Sequence, residues 1–81
     1  MTQYAQYGVV LFHTTSAVMR AEKLLIRDGH SIRLIPTPRQ FSSDCGIALR
    51  FEWNDHDQVK LVLDDARVEF DTIHFLDTKG F

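Results

Sequence analysis

The chain has 81 residues, enough for one domain and close to the lower limit for a core that holds without staples. Apolar residues are 44% and charged residues 25%, a globular balance that excludes a disordered chain. Net charge is −2 and the arginines are scattered among acids, which argues against nucleic acid and against anionic membrane surfaces as partners.

Residues 7–13 (Tyr-Gly-Val-Val-Leu-Phe-His) are apolar, β-branched and aromatic, as in a central strand buried on both faces. Thr14, Thr15 and Ser16 follow, and each can cap a helix by accepting a bond from an unpaired backbone N–H. Ala17, Val18, Ala21, Leu24 and Leu25 then recur at helical spacing, opposite Arg20, Glu22, Lys23 and Arg27. Asp28-Gly29 ends this first helix, with Gly29 supplying the left-handed residue. Residues 31–36 read as strand two, closed by Pro36.

After a loop over residues 37–46, residues 47–53 alternate as strand three, with Ile47, Leu49, Phe51 and Trp53 on one face. Asn54 and Asp55 offer caps for a second helix, and Asp57 and Gln58 are spaced to reach back to them. Its apolar stripe is Val59, Val62, Leu63 and Ala66. Residues 70–76 form strand four, and residues 77–81 a short polar tail.

The order β-α-β-β-α-β predicts an α+β fold, the ferredoxin-like sandwich of a four-stranded antiparallel sheet with two helices on one face. One domain spans residues 1–81, with its core at about 7–76. In the usual strand order 4-1-3-2, strand one ends at the sheet edge where strand three begins. Cys45 then lies beside His13, Thr14 and the first turn of helix one. Arg39 belongs to the same loop, while His74 falls at the opposite end of the sheet.

Cys45 is the only cysteine, so no disulfide framework supports the core. An unpaired thiol fits a reducing compartment. The first seven residues lack the basic start and apolar run of a signal peptide, and no stretch approaches a membrane span. A cytoplasmic setting is expected.

The chemistry most visible in the sequence is this thiol, set between Asp44 and Gly46 in a polar loop. A thiolate attacks sulfur or binds soft ligands, and cations and helix N-termini favour it over the thiol. The expected arrangement supplies the start of helix one (Thr14, Thr15, Ser16), with His13 or Arg39 as tuning cations. Gly46 leaves the sulfur approachable, and Pro38, Ser42, Ser43 and Asp44 shape the turn through side chain-to-backbone bonds. The expectation is a reactive, solvent-accessible Cys45. The plainer alternative is a small core side chain, since cysteine is among the most buried residue types.

Other sites are weaker. His13, His30, His56 and His74 include no pair at metal-binding spacing, so no metal or other cofactor is expected. Asp55-His56-Asp57 sits at a helix start, where acids are favoured for dipole reasons. A Cys–His hydrolase would need an orienting third group, and none is evident, so the chain reads as a carrier or binding protein and not an enzyme. RNA-recognition modules share the topology, but their Lys/Arg-Gly-aromatic pattern is missing from strand three. Phe41 is either a lid over the loop or a partner contact.

The competing class is an interaction module. Strand one is apolar on both sides, so Val10, Phe12, Ile35 and Ala48 are expected on the open sheet face as an apolar patch, the mark of a homodimer or partner interface.

Three segments carry a family resemblance: residues 9–17 (Val-Val-Leu-Phe-His-Thr-Thr-Ser-Ala), 35–39 (Ile-Pro-Thr-Pro-Arg) and 41–49 (Phe-Ser-Ser-Asp-Cys-Gly-Ile-Ala-Leu). They resemble the selenium/sulfur carrier protein-like family, long known only as a domain of unknown function. The Ser-Ser-Asp-Cys-Gly segment after Pro-Arg is the most specific part. The resemblance implies that Cys45 holds sulfur or selenium as a persulfide or selenopersulfide. It also implies a protein donor and a protein acceptor for that cargo.

Overall fold

The computed structural model describes residues 6–41 and 45–76. In chain order the elements are β1 (Tyr7–Leu11), α1 (Thr15–Arg27), β2 (Ile32–Pro36), β3 (Ile47–Glu52), α2 (His56–Asp65) and β4 (Thr72–Leu76). A 3-10 turn, Trp53–Asp55, leads into α2. The strands form one sheet in the order β2-β3-β1-β4, with every neighbouring pair antiparallel. This is the expected order 4-1-3-2 seen from the other edge. None of the described helices is long and apolar enough to cross a membrane.

Cross-strand partners share a face of a sheet, so the register decides what each residue meets. Val10 is opposite Leu49 on β3 and Ile73 on β4. These residues pack with Phe12, Phe51, Val18, Ala21 and Leu25 of α1, and Val59 and Leu63 of α2, in one core between sheet and helices. Apolar spacing at i, i+3, i+4 and i+7 directs both helices onto the same sheet face.

The other sheet face corrects an expectation. Val10 and Phe12 lie on the helix side, not on the open face. β3 must turn Leu49 toward the helices, and Val10, its direct partner, turns with it. Val9 and Leu11 occupy the open side instead, beside Ala48. They are not a bare patch: all three are buried, with Ile35 and Phe41 packed against them.

Both ends of α1 follow sequence signals, and the start of α2 does not. Thr14 caps α1, its Oγ1 accepting the Ala17 N–H at 3.2 Å. Gly29, at φ 86°, ends it, with Gly29 N–H donating to Ile26 O and His30 N–H to Leu25 O, each at 3.0 Å. The expected cap of α2 does not form. The Asp55 carboxylate meets His30 Nδ1 at 3.2 Å instead, while His30 Nε2 meets Asp28 at 2.9 Å. His30 thereby ties the end of α1 to the turn before α2. β4 begins at Thr72, later than expected, because Phe70 packs into the core and the Asp71 N–H bonds Leu11 O at 2.7 Å.

Candidate functional site around Cys45

Thr37 closes the mouth of the β2–β3 loop. Its N–H donates to Gly46 O at 3.0 Å and its hydroxyl to Cys45 O at 2.9 Å. Within the loop the Phe41 N–H returns to Pro38 O at 3.0 Å, forming a tight turn. Phe41 reaches from that turn onto the open sheet face and stacks on His74, with ring centroids 4.4 Å apart and planes 14° off parallel. The Thr72 hydroxyl, 2.9 Å from His74 Nε2, fixes the imidazole edge. His74 thus corrects a second expectation. It lies opposite Val9, midway along the edge strand β4, with Phe41 of the cysteine loop stacked on it.

Phe41 covers one face of the sheet, and Cys45 enters the core on the other, in the cluster that includes Val10, Val18 and Leu49. Cys45 is 5% exposed, so the expected solvent-accessible sulfur is buried in this structure. The reason is parity: Cys45 continues the odd-numbered positions Leu49 and Phe51, which face the helices. Its Sγ is 3.8 Å from Oγ1 of Thr15, the first residue of α1. The thiol therefore lies at the positive end of a thirteen-residue helix, the location expected from topology.

The remaining predicted residues are spread around this point. His13 is exposed in the bend between β1 and the cap residue Thr14, and Ser16 is exposed on the first turn of α1. Gly46 is not left-handed, and a methyl group there would meet nothing within 4 Å. Pro38 and Arg39 line a cavity on the open sheet face, together with Ile35, Arg50 and Leu76, whereas Cys45 faces the helices. Ser42, Ser43 and Asp44 lie outside the described residues. His56 packs on Trp53 at 4.7 Å and bonds its neighbour Asp57. Among the described residues no group of three His, Cys, Asp or Glu could hold a metal ion.

Sequence reasoning missed Thr37, whose signal was a hydroxyl directly across the loop from the cysteine. It also missed Arg50, which stacks over the Tyr7 ring at 4.1 Å.

The family model described as "Putative Se/S carrier protein-like" matches residues 7–74, a span that includes all of the Cys45 loop and both helices. No curated protein and no solved structure matches the chain.

Proposed function

Because the chain belongs to the Se/S carrier protein-like family, we propose that Cys45 is the cargo-bearing thiol of an intracellular sulfur or selenium carrier. The observation that carries this reading is the position of Sγ, 3.8 Å from the Thr15 hydroxyl at the start of α1. In loading, the Cys45 thiolate attacks the terminal sulfur of a donor persulfide. A new Sγ–S bond forms, the donor S–S bond breaks, and its electron pair leaves on the donor sulfur. The proton on the transferred sulfur stays with it, and no external oxidant or reductant is needed. Selenium is carried by the same exchange.

Once its outer sulfur gives up that proton the product is an anion, and the surroundings suit one. The Thr15 hydroxyl can donate to it, and a helix N-terminus favours negative charge by about 0.3–1 kcal/mol. Burial supports carriage by slowing exchange with passing thiols, so that an acceptor thiol takes the sulfur only while the loop is open. Loading then requires the loop to open, which releases the two Thr37 bonds. His13, exposed beside the cap of α1, is the group assigned to take the thiol proton. Arg39, on the other face, is not assigned to the sulfur.

A second reading takes its support from the burial itself: Cys45 as a core side chain in a domain that works by binding. Exposure to a cysteine desulfurase and cysteine, followed by intact-mass measurement, separates the two. A carrier gains the mass of one sulfur atom, and the Cys45→Ser variant gains none. A core cysteine leaves the wild-type mass unchanged.

A further inference from the structure

We infer that the cavity on the open sheet face binds a small organic anion, a carboxylate or phosphate ester carrying an apolar body. This site is separate from Cys45 and does not rest on the thiol's role. Its volume is about 700 Å³, within the range of small-molecule sites. Ile35, Pro36, Pro38 and Leu76 supply apolar walls, and among the described residues Arg39 and Arg50 are the charged ones that line it. The two prolines fix the backbone of the loop-side wall before any ligand arrives, which lowers the ordering cost of binding.

The arginines carry the assignment. Among the described residues, no ion pair joins Arg39 or Arg50 to a carboxylate. The Arg50 guanidinium lies over the Tyr7 ring at 4.1 Å. Stacking occupies the guanidinium face and leaves its in-plane N–H fork for a carboxylate or phosphate. Arg33 is the direct cross-strand partner of Arg50, and like charges in that relation destabilise a sheet. An anion bound between β3 and the loop relieves that repulsion. The chain is acidic overall, so this cluster is a local feature and not part of a general basic surface.

The test is a proton–nitrogen NMR titration of the full chain with phenyl phosphate and with phenylacetate. Benzyl alcohol supplies the apolar body without charge, and inorganic phosphate the charge without the body. The site predicts saturable shifts at the amides of Ile35, Arg50 and Leu76 for at least one of the two organic anions, and the tighter of them assigns the head group. Both controls bind about tenfold more weakly or worse. Arg39→Gln and Arg50→Gln each weaken binding about tenfold, while Arg27→Gln, at the far end of α1, leaves it unchanged. Spectral dispersion checks the fold of each variant, and Arg39 is exposed, so at least that variant remains informative. Absence of saturable shifts at millimolar ligand overturns the site. So does equal binding of benzyl alcohol, or binding indifferent to both arginine substitutions.

Discussion

Thr37 holds the backbone of Cys45: its hydroxyl donates to the Cys45 carbonyl at 2.9 Å, eight residues away across the mouth of the loop. A residue at the exit of β2 thus ties the cysteine backbone across the loop. Thr37→Val keeps the shape and removes the donor. Loss of one partly buried hydrogen bond is expected to lower stability by about 1 kcal/mol. If that bond resists loop opening, Cys45 reacts roughly fivefold faster with a disulfide reagent, the same energy read as a population. An unchanged reaction rate would show that opening does not break this bond.

Phe41 is a lid of the chain's own over the open sheet face, resting on Val9, Leu11 and Ala48 and stacked on His74. Phe41→Ala uncovers these residues and removes a half-buried ring. The expected loss is about 2 kcal/mol, less than for a fully buried phenylalanine. Sedimentation should show stronger self-association, because the uncovered strand residues form the apolar patch that the wild type hides. A variant as stable and as monodisperse as its parent would contradict the lid.

Much of this was legible in the sequence, for particular reasons. Val18, Ala21 and Leu25 kept strict helical spacing, Gly29 marked a left-handed end, and the alternating β3 pattern assigned Leu49 and Phe51 to one face. Those signals suffice for the fold and for the position of Cys45 beside α1. The faces of β1 were not legible alone, since Val9, Val10, Leu11 and Phe12 are all apolar and only pairing with β3 distinguishes them. The burial of Cys45 was present as parity with Leu49, but its polar neighbours suggested exposure. The stacking of Phe41 on His74 depends on where the turn at Pro38–Phe41 sets the ring over the sheet, which local pattern does not encode.

Gly8 was not singled out by its sequence context, yet it has no room for a side chain. A Cβ there would collide with Phe51 Cζ and lie 2.6 Å from Trp53 Cε3. The two rings sit over the glycine with centroids 6.0 Å apart. Gly8→Ala should cost about 1–3 kcal/mol, as overpacking does, and alter the near-ultraviolet signal of Trp53. Full stability with an unchanged tryptophan signal would mean that the rings move aside freely.

Arg67 ends α2 in the left-handed region at φ 56°, the role Gly29 plays for α1. The turn is set by the Val68 N–H bond to Leu63 O at 2.9 Å. A side chain in this conformation costs about 1–2 kcal/mol, partly offset by the smaller entropy loss of a non-glycine residue. Arg67→Gly is therefore expected to raise the urea midpoint, with a gain of up to about 1 kcal/mol. A lower midpoint would show that the arginine side chain contributes more than the strain removes.

On the proposed function, Cys45 carries sulfur or selenium from one protein to another. Tandem mass mapping of the wild-type chain after loading by a persulfide donor, and again after addition of a thiol acceptor, tests it most directly. The predicted result is one extra sulfur on the Cys45 peptide alone, fully removed by the acceptor. Sulfur that never reaches Cys45, or that stays there after the acceptor is added, would contradict it.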